Sequence, residues 1–413
     1  MKQYFFALTV ALSLLSSSVW AGINAPKSAK IFRTQGQQLI TPNGQPIILK
    51  GTNLGNWLVP EGYMFKTGKV SSPAKIDELF LQLIGPDSTE RFWQQFLENY
   101  ITYEDIKYLK KSGANHVRVP FHYKLFTNDL YMGTRNAGFK YLDKVIEWCK
   151  RENMYVLLDM HCAPGGQTGD NIDDSNGYPY LYFSESSQQL MSDIWVKIAK
   201  KYKNESIVIG YDIVNEPFAH YFLKDIKDYN HRLFLLYKRM IADIRKVDKS
   251  HAIFLNGSVW AGDFGVFESI LDDNVVYEFH KYWFEVNQES VQQYLDFSKK
   301  HNVPIYIGET GENSDEWVKK FRILLDENKI NWCYWPYKKM NNTAGIMNFE
   351  EPEDFNLISK FAESDRSSFE KIRENMPDRN KVQKALHLFL KNSLYQHNFQ
   401  NKGYIDGLGF KVQ

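Results

Sequence analysis

Two glutamates stand where a pair of carboxyl groups could do chemistry together. Glu216 lies in Asn215-Glu216-Pro217 and Glu309 in Ile307-Gly308-Glu309, each at the end of a short apolar run. Breaking a glycosidic bond passes through an oxocarbenium-like transition state. It needs one carboxylic acid to protonate the leaving oxygen and one carboxylate to attack or stabilise the anomeric carbon. Glu216 and Glu309 could supply that pair. Other polar or aromatic residues end similar runs: Arg118, His161, His280 with Tyr282 two positions on, and Trp335. Taken singly, each has a plainer reading. Asn-Glu-Pro is a common turn, a glutamate after glycine can cap a helix, and Arg118 could be a structural ion-pair partner. The histidines could be satisfied core residues and Trp335 a core aromatic, while Glu312 reads as a loop residue.

The elements that must position these residues are legible as eight short runs rich in Val, Ile, Tyr and Phe. They are Ile47 to Asn53, Asn115 to Pro120, Tyr155 to His161, Ile207 to Asn215, Ala252 to Asn256, Val275 to His280, Pro304 to Glu309 and Asn331 to Trp335. Stretches of helical periodicity separate most of them, such as Leu142, Val145, Ile146 and Cys149, and Leu190, Ile194, Ile198 and Tyr202. Thr102-Tyr103-Glu104-Asp105 has the chemistry of a helix start and Gly113 that of its stop. Eight near-continuous apolar strands alternating with helices predict an α/β fold, a (β/α)8 TIM barrel. No GxGxxG or P-loop glycine pattern favours an open sheet. In such a barrel the strand C-termini carry the active site, so all the residues above converge on one mouth. Ile40 to Pro46 has turn chemistry and should close a small N-terminal hairpin across the other end. The tail should supply a C-terminal helical extension, giving one catalytic domain over 22–413 with the barrel at about 40–360 and the extension at about 361–413.

With that order and strand placement, the chain resembles a glycoside hydrolase of family 5, the cellulase type, over about Ile40 to Trp335. Ile213 to Pro217 is similar to the family's acid/base motif and Ile307 to Glu309 to its nucleophile motif. The resemblance implies that Arg118 and Tyr282 hold Glu309 and that Asn215 meets the sugar's 2-hydroxyl. It also implies that His161 and His280 line the site, His280 beside the acid/base, and that Trp335 forms its apolar floor. Gly51 to Glu61 and His161 to Gln167 look most like the branch of exo-acting β-1,3-glucanases, which implies substrate contacts from Glu61 and Trp57. Cys162 and the insertion-like segment 170–180 depart from that branch, and the C-terminal region does not align with it.

The expected function is therefore a retaining β-glycosidase acting on β-glucans, with exo-hydrolysis of β-1,3-glucan favoured. A β-1,4-glucanase (cellulase) or a transglycosylase on the same site is the alternative, and an inactive carbohydrate-binding barrel a remote one. Retention requires carboxyl groups about 5 to 5.5 Å apart, whereas inversion needs more than about 6.5 Å.

Bulk properties fit this reading. Lys2, the apolar run Tyr4 to Leu15 and the small residues to Ala21 read as a signal peptide, 1–21, cleaved near Ala21, so an exported protein, periplasmic or secreted, is expected. That run is too short for a membrane anchor. With 50 basic and 49 acidic residues, the net charge of +1 gives no electrostatic case for nucleic acid. The expected partner is a β-glucan or oligosaccharide, and the protein is expected to be a monomer. Three scattered cysteines provide neither a disulfide framework nor a zinc site, and no metal or cofactor is expected. Aromatic residues make up 15% of the chain; most should pack the core, leaving some as sugar platforms.

Overall fold

A computed structural model describes Met1 and residues 31–413. The proposed leader and its cleavage point near Ala21 lie outside the described residues. Eight parallel strands close into a barrel in chain order: β1 (Lys50–Asn53), β2 (His116–His122), β3 (Tyr155–Cys162), β4 (Val208–Asp212), β5 (Ala252–Asn256), β6 (Val275–His280), β7 (Ile305–Glu309) and β8 (Asn331–Tyr334). Each coincides with one of the eight apolar runs, β2 and β3 running two residues and one residue past the expected ends, and the fold is the (β/α)8 barrel. Parallel strands buried on both faces need apolar side chains throughout, and this makes such strands readable as runs.

The connections are helical where the periodicity was helical. Helices α1 (Pro73–Ile84), α2 (Pro86–Asn99) and α3 (Tyr103–Ser112) fill the first crossover, and α4 (Gly138–Glu152) and α5 (Glu185–Tyr202) the next two. Helix α3 starts at a capping box, in which Thr102 and Asp105 satisfy each other's backbone N–H, and stops at Gly113, whose φ of 121° suits glycine. The fourth, sixth and seventh crossovers carry α6 (Ile226–Arg245), α7 (Glu289–His301) and α8 (Asp315–Glu327).

Inward-facing positions of the strands form three layers, because side chains on one face recur every second residue. On β3 the series is Leu157, Asp159, His161; on β6 it is Val276, Glu278, His280. The lowest layer is apolar: Leu157 and Val276 pack with Ile209, Phe254, Tyr306 and Cys333, and Phe32, Leu39 and Leu49 from the N-terminal segment seal this end. That segment is a three-stranded antiparallel sheet, Arg33–Gln35, Gln38–Ile40 and Pro46–Ile47, with the turn at Thr41 to Gln45. The middle layer is charged and fully buried. The upper layer opens to solvent.

The C-terminal segment packs into the barrel's helical shell. Lys338–Met340 pairs with Met347–Phe349, which pairs with Phe399–Gln400. Helix α9 (Arg379–Asn392) lies on α1 and α2, and its Phe389 ring meets Phe65, Phe92 and Phe96. Among the described residues no helix is long and apolar enough to cross a membrane.

Candidate active site

A cavity of about 800 Å³ opens at the C-terminal ends of the strands, within the size range of sites that take small molecules. Glu61, His161, Glu216, His280, Tyr282, Glu309 and Trp335 all line it. Glu309 ends β7, where the register shifts between Ile307 and Glu309, so that Glu309 stands level with His280 of β6. Only glycine fits at 308, because a Cβ there would lie 1.6 Å from Glu278 Oε1. Glu216 follows β4 in a left-handed turn, φ 43°, a conformation costly for a residue with a side chain. That turn aims its carboxyl across the mouth. One carboxylate oxygen of each glutamate lies within 4.8 Å of the other.

Their surroundings differ. Glu309 Oε1 accepts from Arg118 Nη1 at 2.6 Å, and Oε2 accepts from the Tyr282 hydroxyl at 3.1 Å. Among the described residues no lysine or arginine contacts Glu216; its Oε1 lies 3.0 Å from His280 Nδ1. Burial raises both carboxyls, but the Arg118 guanidinium pulls Glu309 back down, whereas Glu216 is pushed well up by burial and then by the charges of Glu309 and Glu61. A single proton shared by the two therefore rests on Glu216. This is a division into acid and anion, the states required of a leaving-group acid and a nucleophile.

Arg118 lies in the middle layer and reaches the cavity only through Glu309. Besides Glu309 it contacts Asp212 at 2.7 Å, Asp159 at 3.2 Å and Glu278 at 3.5 Å, all fully buried. It also donates to Asn53 and Asn215. Burial pushes Asp159 and Asp212 up to about 7 despite this cation. These acids were not among the sequence candidates. Each of Asp159 and Glu278 stands two residues before a mouth histidine and hydrogen-bonds it, at 2.8 Å to His161 and 3.1 Å to His280. The period of two along an inward face could have revealed both.

Trp335 stacks flat on His161, with ring centroids 5.3 Å apart and planes 3° apart, and its Nε1 donates to the Tyr63 hydroxyl at 2.6 Å. Asn215 lies beneath the cavity, its Oδ1 accepting from Arg118. Glu61 is buried at the cavity wall with Oε1 unpartnered. Trp57 is a correction. The structure places it in the core, 1% exposed, packed on Tyr141 and Trp148 with Nε1 donating to Leu97 O. The loop after β1 turns it away from the mouth and leaves Glu61 there. Sequence reasoning also missed Trp260 and Trp283, which line the cavity from loops after β5 and β6. Both have left-handed backbones, φ 58° and 52°, and no pattern in the sequence marks them. The segment 170–180 contributes Asp170, Asn171 and Ile172 to the wall. It is held by Asp173, which accepts from Gln167 N, Thr168 N, Thr168 Oγ1 and Ser175 N.

Comparison with known proteins gives a concordant result. The family model described as Cellulase (glycosyl hydrolase family 5) matches residues 81–341. A protein named Beta-xylosidase from Phanerodontia chrysosporium is 32% identical over 74% of this chain and 70% of its own length. Endoglucanase C from Acetivibrio thermocellus is 26% identical over 60% of this chain and 88% of its own. Probable glucan 1,3-beta-glucosidase A from Aspergillus terreus is 26% identical over 74% of each. Among solved structures, a rutinosidase from Aspergillus niger shares the fold with a TM-score of 0.59 at 19% identity, covering 72% of this chain and 92% of its own. Sequence, barrel and cavity thus agree, and the chain belongs to glycosyl hydrolase family 5 as a glycoside hydrolase.

Proposed function

We propose that the protein is a retaining exo-β-glucanase, acting on β-1,3-glucan chain ends, with Glu309 as nucleophile and Glu216 as acid/base. The observation that carries this reading is the carboxylate pair: oxygens within 4.8 Å, a spacing that suits double displacement, with Arg118 bound to one glutamate alone. Glu309 attacks the anomeric carbon as Glu216 gives its proton to the leaving oxygen, whose C–O electron pair leaves with it. Water then hydrolyses the glycosyl–enzyme, returning a proton to Glu216 and releasing Glu309 as carboxylate.

Tyr282 and Arg118 steady Glu309, and Trp335 offers an apolar face under the sugar. His161 and His280 flank it, and Asn215 lies beneath, between His161 and Arg118. Glu61, buried with an acceptor oxygen unfilled, suits the extra hydroxyl groups of a chain end, and this favours exo action. The relatives named Endoglucanase C and Beta-xylosidase make β-1,4-glucan and xyloside the alternatives to try. Export after cleavage near Ala21 and a monomeric state belong to the same proposal, checked by N-terminal sequencing and light scattering.

The test is a substrate panel of laminarin, cellulose, xylan and aryl β-glucosides, followed by NMR of the first-formed anomer. Retained β-configuration and glucose from laminarin ends are expected; an inverted product would refute the mechanism. Glu309→Gln should abolish turnover. Glu216→Ala should still cleave dinitrophenyl glucoside and be rescued by azide, and absence of rescue would overturn its role.

A further inference from the structure

Below Glu216 runs a chain of groups, His280 and then Glu278, whose proton the mechanism above leaves unassigned. Glu278 and His280 are two residues apart on β6, both facing inward and both buried. Glu278 Oε1 lies 3.1 Å from His280 Nε2, and His280 Nδ1 lies 3.0 Å from Glu216 Oε1. Each ring nitrogen thus faces a carboxyl oxygen, and a neutral imidazole carries one N–H. The question is which contact the histidine's proton occupies.

The neighbours of Glu278 answer it. Its Oε1 also faces the Arg118 cation, Nε at 3.5 Å. An oxygen beside a cation is the poor place for a proton. The other oxygen, Oε2, is buried with no hydrogen-bond partner, and the Glu278 carboxyl lies beside that of Asp212 and holds it down. Resting on the acid/base assignment of Glu216, the geometry points to Glu278 as a positioning residue: its Oε1 accepts from His280 Nε2–H, leaving Nδ1 a bare acceptor that holds the proton on Glu216.

Charges from the other strands agree. Arg118 on β2, Asp159 and His161 on β3, Asp212 on β4, and Glu309 on β7 surround this chain, with Glu216 and Glu61 above. Burial, and then the charge of Asp212, push the Glu278 carboxyl well up, which favours its neutral form. Burial and Arg118 push His280 well below its ordinary value, so the ring is neutral and has a single tautomer to fix. Once Glu216 has protonated the leaving group, the Nδ1 lone pair faces a carboxylate. That repulsion makes Glu216 a stronger base toward the incoming water. Gly308 supplies the room, since any side chain there would displace Glu278.

The test uses two substitutions and one spectrum. Glu278→Gln can present its oxygen to Nε2–H and its amide N–H to Asp212, the pattern of the neutral acid. Glu278→Leu presents neither. In the leucine variant His280 is free to turn its proton toward Glu216, so the alkaline limb of kcat/KM should fall by about one pH unit. At neutral pH, kcat should fall about tenfold for alkyl glucosides, with KM little changed, and less for dinitrophenyl glucoside, which needs no acid.

Glu278→Gln should restore the limb to within about 0.3 pH unit of the parent. A limb shifted equally in both variants would mean that Glu278 acts by charge, and would overturn the proposal. Should the leucine variant not fold, 15N NMR of histidine-labelled parent protein decides. The His280 signal, assigned by its loss in His280→Asn, should show Nε2 protonated, and a protonated Nδ1 would overturn the proposal. If Glu216 is not the acid, Glu216→Ala itself will lack leaving-group dependence, so failure of the underlying assignment is separately visible.

Discussion

Among the described residues Arg118 is the cation that four buried carboxyls share, and Arg118→Met should expose how they are balanced. The guanidinium contacts Asp212, Asp159, Glu278 and Glu309 at distances from 2.6 to 3.5 Å. Removing one partner of a buried ion pair costs about 3 to 5 kcal/mol, because an uncompensated charge is left behind. The cost should depend on pH with a definite sign. Asp159 and Asp212 already stand at about 7 in the folded protein, above their unfolded value near 3.8. A raised carboxyl makes the folded state bind more protons than the unfolded one. The stability it contributes is therefore full below about pH 4 and is lost as pH rises toward 7.

Without Arg118 both values rise further, and the loss continues above pH 7. Each added unit on one group costs about 1.4 kcal/mol at high pH. Denaturant unfolding of parent and variant at pH 5 and pH 8 measures this. The stability gap should be wider at pH 8 by about 1.4 kcal/mol or more. A gap that is constant, or narrower at pH 8, would refute the view that Arg118 serves as counter-charge. In parallel, the acid limb of kcat/KM should move up, because Glu309 loses the group that pulls its carboxyl down.

Trp283→Ala and Trp260→Ala should each raise KM for laminari-oligosaccharides about tenfold while leaving small aryl glucosides nearly unaffected, since both rings line the cavity and neither hydrogen-bonds a catalytic carboxylate. Equal losses on both substrates would argue against a platform role. Asp173→Asn replaces a carboxylate that accepts four hydrogen bonds by an amide that cannot accept them all. It should destabilise the 170–180 segment by about 1 to 3 kcal/mol, read as faster limited proteolysis there and a raised KM. Phe389→Ala should cost about 3 to 5 kcal/mol in chemical unfolding, because its ring sits among Phe65, Phe92 and Phe96. A cost under 1 kcal/mol would mean that the C-terminal helix is dispensable to the barrel.

Much of the fold was legible because burial on both faces forces parallel strands to be apolar, and eight such runs leave few architectures. The helix at Tyr103–Ser112 was legible from Thr102, Asp105 and Gly113 because capping is local chemistry. The C-terminal segment was less so. Its place depends on Phe389 finding aromatic partners three hundred residues earlier in the chain, and no local signal encodes that.

For the site, the sequence by itself determined which groups stand at the strand ends. A polar or aromatic residue at or just past the end of an apolar run is local information, and it singled out Glu216, Glu309, Arg118, His161, His280, Tyr282 and Trp335. Tertiary structure decided what each touches. It turned Trp57 into the core and brought Trp260 and Trp283 to the cavity on left-handed loops. It placed Arg118 one layer below the mouth, among Asp159, Asp212 and Glu278. The surroundings of the two glutamates differ because Glu309 meets Arg118 and Glu216 meets His280, and those contacts join strands far apart in sequence. Electrostatic character is set by distances across the closed barrel, and only closure of the barrel fixes them.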